Sequence, residues 1–289
     1  MTEYDGRVVL GAYRLEALVG RGSHGLVFRG EAIDSGRQVA VKVPLFLDEQ
    51  RFARFEREAR MLAKVEHENV ARFVDFGFLD GRPVIVTEYF AGRRLDEVMV
   101  DAGGCIRWQR AVEIMTPVMA ALDSLHRAGV IHRDVKPSNI LVLSQRDAID
   151  VRLIDLGVCR EEDSGDRTGI TEDSQVLGTL NYMAPEQLLN LPVDWRCDIY
   201  AAGCVLFEML CGRLPFLGRG IQQAMAKCAS DGPPSLLFAA PATAPDVPET
   251  LSRLVLSMLR RVPDERPASA ELCRQHLSEV LQFELAPAE

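Results

Sequence analysis

The apolar pattern changes period once along this chain, and that change limits the fold more than any other feature. Up to about residue 90, β-forming residues alternate or cluster in short runs broken by turn residues, as in an antiparallel meander. The runs at 13–18, 26–32 and 38–43 are separated by a glycine cluster and by Asp34-Ser35-Gly36. One helix interrupts them, from about residue 49 to 65, with Phe52, Phe55, Leu62 and Val65 on one face. Two further strand-like runs, 72–78 and 83–89, are joined by Asp80-Gly81. Beyond Ala91-Gly92 the spacing turns helical. Met115, Val118, Leu122 and Leu125 recur every three or four residues and stop near Gly129, and Pro117 is expected to kink that helix or mark an early turn. Short runs at 140–143 and 151–154 predict a small hairpin. From Trp195 onward the pattern is mostly helical, apart from a Pro- and Ala-rich stretch at 232–248. The expected class is α+β: an antiparallel β-sheet N-lobe with one helix, a glycine-containing hinge, and a mainly helical C-lobe.

Composition narrows the function classes. With 42 Asp plus Glu against 33 Lys plus Arg, the net charge of -9 disfavours general binding to nucleic acid. Seven cysteines lie scattered without a C-x-x-C pair, which argues for free thiols in a reducing compartment over a disulfide framework or a zinc site. The first residues are acidic where a signal peptide needs base and apolar bulk, and the most apolar later stretch, 201–211, is too short to span a bilayer and contains Glu208. The expected location is cytoplasmic.

Gly20-Arg21-Gly22-Ser23-His24-Gly25 matches G-x-G-x-x-G. Glycines let a backbone approach phosphate and point N–H groups at it, but alone the motif serves a ligand-free hairpin equally well. The dinucleotide version needs a helix to begin at the glycines. Here Leu26-Val27-Phe28 continues as strand, so a loop over phosphates between antiparallel strands is the remaining binding geometry. Lys42 sits among apolar strand residues, and Glu58 falls on the apolar stripe between Phe55 and Leu62. An inward carboxylate needs a cation, and Lys42 is the nearest plausible partner.

Further motifs complete a constellation. His132-Arg133-Asp134-Val135-Lys136-Pro137-Ser138-Asn139 fits H-R-D-x-K-x-x-N. Asp155-Leu156-Gly157, Ala184-Pro185-Glu186, the Asp198 helix and Arg266 follow in order. Over residues 13–278 the chain resembles the eukaryotic-type serine/threonine protein kinases, with features of bacterial members such as Gln187 after Ala-Pro-Glu. The resemblance implies a domain at 13–278, with an N-lobe at about 13–89, a hinge at about 88–92, a C-lobe at about 93–278, and short extensions at 1–12 and 279–289.

The resemblance also implies roles. Lys42, held by Glu58, contacts the α- and β-phosphates of ATP. Asp134 accepts the proton of the attacking hydroxyl and Lys136 neutralises the γ-phosphate. Asn139 and Asp155 bind Mg²⁺, for which Mn²⁺ can substitute. The nucleotide lies against Val19, Gly20, Arg21, Gly22, Ser23, His24, Gly25, Leu26, Val27, Ala40 and Leu141, hydrogen-bonded to the backbone of Glu88 and Phe90, with Thr87 at the rear. His132 is structural and assigned no proton transfer. Cys159 is the one thiol singled out for alkylation, and Arg93-Arg94 is expected to be a solvated pair. Thr168, Thr171 and Ser174 are candidate autophosphorylation sites whose phosphate would dock on Arg133. The implied activity is that of a non-specific serine/threonine protein kinase acting on Ser/Thr of protein substrates. A nucleotide-dependent pseudokinase scaffold and a small-molecule kinase on a related fold are the alternatives, and the oligomeric state is not legible.

Overall fold

The computed structural model describes residues 4, 6–22, 25–45, 49–145, 148–156, 180–216, 218, 220–230, 232–233 and 247–284. The chain forms two compact units, Met1–Ala91 and Gly92–Glu289.

The first unit is a six-stranded antiparallel sheet of order β1-β2-β3-β4-β6-β5 plus one helix. Its strands are β1 (Val8–Val9), β2 (Tyr13–Gly22), β3 (Gly25–Ala32), β4 (Gln38–Val43), β5 (Phe73–Leu79) and β6 (Arg82–Glu88), and its helix is α1 (Glu49–Leu62). Side chains alternate across a strand, so each strand presents two faces. Phe28, Val39, Val41, Val43, Val84 and Val86 fill one face, capped by Tyr4 and Val9. Tyr4, Val9 and Leu10 therefore pack onto the sheet, with Val9 pairing Tyr13. Asp80 and Gly81, both at positive φ (51° and 77°), close the β5–β6 hairpin as the tight turn the sequence predicted. Helix α1 ends at Leu62, three residues short of expectation, although Val65 is buried all the same.

The second unit opens with β7 (Arg93–Arg94), which pairs with β8 (Ile140–Gln145) and, through it, with β9 (Ala148–Leu153). Its helices bounded within the described residues are α2 (Leu95–Asp101), α3 (Trp108–Arg127), α4 (Pro185–Leu188), α5 (Arg196–Cys211), α6 (Ile221–Ala229), α7 (Glu249–Met258) and α8 (Ala270–Glu284). Helix α3 packs on α5, α8 and β9. It begins nine residues before Pro117, so the proline marks no early turn. The ring removes the N–H that would bond the Glu113 carbonyl. Glu113 is exposed, so water can satisfy that carbonyl, while Trp108, Ala111, Val112 and Met115 bury the helix's other side. Arg93 and Arg94 are exposed as expected, but they are also edge-strand residues bonded to Asp101 and Asp96.

Candidate active site

In the first unit, strand alternation gathers the residues singled out for nucleotide on the face opposite the apolar core. Val27 pairs with Lys42, and Ala40 with Thr87, so these four side chains share one side of the sheet. On that side Lys42 Nζ donates to Glu58 Oε1 at 2.7 Å, with the ammonium 5.8 Å from the Phe55 ring centroid. Both groups are buried, at 9% and 5% exposure. The inward acid on α1 has the cation that its burial demanded.

The glycine motif is a hairpin between β2 and β3, with Gly20 opposite Val27 and Gly22 opposite Gly25. Its glycines are there for different reasons. Gly25 (φ 152°) lies where a Cβ would stand 2.3 Å from the Val43 carbonyl oxygen, so strand packing alone demands it. At Gly22 a Cβ would meet nothing within 4 Å. The register slips between Leu18 and Gly20, which makes Val19 the extra residue of a bulge and leaves it 48% exposed. Arg21 is exposed and Leu26 half-buried. At the end of β6 the Glu88 N–H donates to the Arg72 carbonyl at 2.9 Å, so Glu88 can offer a ligand only its carbonyl. Phe90, two residues on, is half-buried. Ser23 and His24 lie outside the described residues, as do Gly157, Cys159, Thr168, Thr171, Ser174, Gly178 and Thr179.

The second unit builds its own cluster around the loop at 131–139. Asp134 Oδ2 accepts from Lys136 Nζ at 2.7 Å and from Asn139 Nδ2 at 3.1 Å. Asn139 Nδ2 also donates to the Asp134 carbonyl at 2.8 Å, which turns the amide oxygen outward as an acceptor. The Ile154 N–H donates to the Asn139 carbonyl, placing the end of β9, and thus Asp155, beside Asn139. Leu141 is half-buried on β8. Arg133 (φ 64°) and Asp155 (φ 56°) both adopt the left-handed region, which costs a non-glycine residue about 1–3 kcal/mol.

The strain at Arg133 is held by one carboxylate. Asp198 on α5, fully buried, accepts from the His132 N–H at 2.8 Å, the Arg133 N–H at 2.7 Å and His126 Nε2 at 2.8 Å. Burial by itself would push the Asp198 carboxyl up; the bond from His126, the two histidines and the Arg133 N–H outweigh it and hold the carboxyl below its ordinary value. His132 is also fully buried, which lowers its pKa. Its Nδ1 accepts from the Asp134 N–H, and Nε2 faces the Ile154 carbonyl at 3.2 Å. These bonds match a neutral ring that carries its proton on Nε2 and directs it at the Ile154 carbonyl.

Downstream, Glu186 and Arg266 form a bidentate pair at 2.6 and 2.7 Å, both buried. The three remaining guanidinium hydrogens go to the carbonyls of Arg260, Arg196 and Arg261, so all five donors are used. Tyr182 donates its hydroxyl to Glu208 at 2.6 Å, a pair absent from the sequence reading, and burial raises the pKa of both groups. Replacing Arg266 with methionine strands the Glu186 charge and is expected to cost about 3–5 kcal/mol, read as a fall in the urea midpoint. An unchanged midpoint would show the pair to be dispensable.

The Protein kinase domain family model matches residues 13–278. The chain belongs to the protein kinase family. Among its relatives, serine/threonine-protein kinase pkn3 of Myxococcus xanthus is 36% identical over 284 residues, covering 96% of this chain and 51% of the relative. Serine/threonine-protein kinase pkn2 of the same organism is 35% identical, covering 92% and 32%. The probable serine/threonine-protein kinase PknB of Corynebacterium glutamicum is 34% identical, covering 91% and 41%. This protein kinase chain thus spans about half or less of the length of these curated relatives. The antiparallel sheet with one helix and the helical second unit are the α+β fold that the sequence implied.

Among the described residues no three His, Cys, Asp or Glu side chains converge as a metal cage. One carboxylate and one amide oxygen suit Mg²⁺, which takes few protein oxygens and completes its shell with phosphate and water. No helix among the described residues is long and apolar enough to cross a membrane. Of the six described cysteines, all free, four are buried, and burial pushes Cys204 up to about 11 and Cys273 to about 12; they pack as small hydrophobes.

Proposed function

We propose that this chain is an active serine/threonine protein kinase that uses ATP and Mg²⁺ to phosphorylate protein hydroxyls. One observation supports this above the others: Lys42, Asp134, Lys136 and Asn139 are each oriented by a bond to a neighbour. Lys42 is fixed by Glu58 on the sheet face it shares with Val27, Ala40 and Thr87. Asp134 is oriented by Lys136 and Asn139, and these bonds rest on the Asp198 brace.

In this reading the N–H groups of the glycine hairpin bind phosphate in the open space above Gly22, where packing alone demands no glycine. Lys42 holds the α- and β-phosphates; Glu58 keeps its ammonium from wandering. The Asn139 amide oxygen and the Asp155 carboxylate hold the metal, with Mn²⁺ as an acceptable substitute. Bound ATP and Mg²⁺ supply the phosphoryl group and neutralise its charge. Asp134 aligns the acceptor hydroxyl and takes its proton, and Lys136 offsets charge on the transferring oxygens. A pseudokinase scaffold would tolerate loss of Lys42, Glu58, Asp134, Asn139 or Asp155, and all five are retained. A small-molecule kinase has no need of the Glu186–Arg266 grip on a peptide-docking segment. Free thiols fit a cytoplasmic setting.

The test is incubation with labelled ATP, Mg²⁺ and a generic basic protein, beside an Asp134→Asn control. Label on serine and threonine of the protein, absent from the control, supports the reading. Label only on a sugar or antibiotic moves the chain to the small-molecule class. We assign autophosphorylation to Thr168, Thr171 and Ser174, with Arg133 as the dock. Mass spectrometry of a fully active preparation should find phosphate there, and its absence would refute that assignment.

A further inference from the structure

Lys227 is 1% exposed on α6 and, among the described residues, is paired with no carboxylate. Lysine is among the residues least often buried without an anionic partner. Its surroundings explain the exception. An ammonium has three N–H donors, and here each finds a backbone carbonyl: Leu180 at 3.0 Å, Asn181 at 2.5 Å and Met183 at 3.1 Å. Three carbonyls from four consecutive residues converge on one point. Leu180 is a helical residue and Asn181 and Tyr182 form the turn that follows it, so these carbonyls join no strand ladder, and a compact point charge on a long stem meets them all.

A second feature ties Lys227 to the grip on Glu186. The Tyr200 ring lies 5.7 Å from the Lys227 ammonium and 4.9 Å from the Arg266 guanidinium. One buried ring therefore backs both cations. Lys227 holds the start of the segment 180–187 and Arg266 holds Glu186 near its end. Between them Tyr182 is bonded to Glu208, and the Ala184 N–H to Gln187 Oε1 at 3.0 Å. The Tyr200 hydroxyl has no hydrogen-bond partner among the described residues, which leaves the ring as the part of this side chain that works. With three of its carbonyls tied to Lys227, the stretch 180–183 remains half-buried, so part of it stays open to solvent.

We propose that Lys227, set against the Tyr200 ring, is a positioning residue for the protein acceptor: it fixes the 180–183 backbone in the conformation on which the acceptor chain docks. This rests on the protein-kinase reading above, because a docked peptide is what the segment serves. Lys227 touches no reacting atom, so its effect belongs in acceptor binding rather than in nucleotide binding or the chemical step.

The experiment compares wild type, Lys227→Met and Lys227→Arg with a generic basic protein as acceptor. Lys227→Met is expected to raise the acceptor KM about tenfold, with kcat and the KM for ATP little changed. Lys227→Arg, which keeps the charge, should recover part of that loss. Amide exchange across 180–188 should quicken in Lys227→Met and less so in Lys227→Arg. An unchanged acceptor KM in folded Lys227→Met overturns the proposal, as does an equal rise in both KM values. If the methionine variant does not fold, Lys227→Arg decides alone: a wild-type exchange pattern with a raised KM for ATP overturns it, and a raised acceptor KM with quickened exchange supports it. Failure of the underlying reading looks different, because the wild-type chain would then phosphorylate no protein at all.

Discussion

Replacing Asp134 with asparagine is expected to slow phosphoryl transfer about 10²–10⁴-fold, the usual contribution of a positioned general base, with little change in stability or nucleotide affinity. The reason lies in what the amide keeps and what it loses. Asp134 Oδ2 accepts from Lys136 Nζ and Asn139 Nδ2, and an amide oxygen at that place can accept both bonds. The contacts that shape the loop beyond the carboxylate are backbone ones. The Asp134 N–H still reaches His132 Nδ1, and its carbonyl still receives Asn139 Nδ2. Shape therefore survives while basicity and negative charge vanish. The kinetic signature is a fall in kcat with the KM for ATP held, because the lost interaction belongs to the transition state. Wild-type turnover in a folded Asp134→Asn protein would remove Asp134 from the reaction. An equal loss of nucleotide binding would mean that the residue organises the site rather than taking the proton.

The order of elements and the polar constellation were legible in the sequence because each depends on local pattern or on residues odd enough to require a partner. Glu58 is the clearest case: an acid on an apolar helical stripe implies a cation, and Lys42 answers at 2.7 Å. The Asp80-Gly81 turn was equally plain, since both residues tolerate positive φ. What stayed hidden depends on register or on distant backbone. The bulge that exposes Val19 comes from how two strands slip past each other, which alternation alone does not fix. Lys227, in Ala-Met-Ala-Lys-Cys, reads as an ordinary surface lysine, because the carbonyls that bury it lie more than forty residues earlier in the chain. Pro117 reads as a kink or an early turn; the early turn falls away, because α3 begins nine residues before it and burial of Trp108, Ala111 and Val112 sustains the helix through it. Arg94 reads as half of a solvated pair, yet its guanidinium is engaged by Asp96.

Asp198→Ala is expected to cost about 3–5 kcal/mol of stability, the scale for stripping one partner from a buried charged network, and to lower activity with it. Alanine leaves the His132 N–H, the Arg133 N–H and His126 Nε2 facing a space with no acceptor. It also releases the restraint on Arg133, whose φ of 64° is unfavourable for a side-chain-bearing residue. Relaxation there displaces Asp134, the next residue, so kcat falls although Asp198 lies behind the loop. Asp198→Asn separates charge from shape. Its amide oxygen can serve the Arg133 N–H, but its NH₂ then meets the His132 N–H, donor against donor, so the loss should be smaller without disappearing. Acid sensitivity supplies an independent reading. The folded carboxyl is held below its ordinary value, so its contribution is complete above the unfolded pKa of about 3.9 and is lost as pH falls through the lower folded value. The wild-type stability curve should therefore decline through that acid window more steeply than the alanine variant's, which has no such carboxylate to protonate. Urea midpoints collected from neutral pH down into that window measure both effects. Parallel wild-type and Asp198→Ala curves there, or full activity in the alanine variant, would mean that the loop holds its strained backbone without the Asp198 brace.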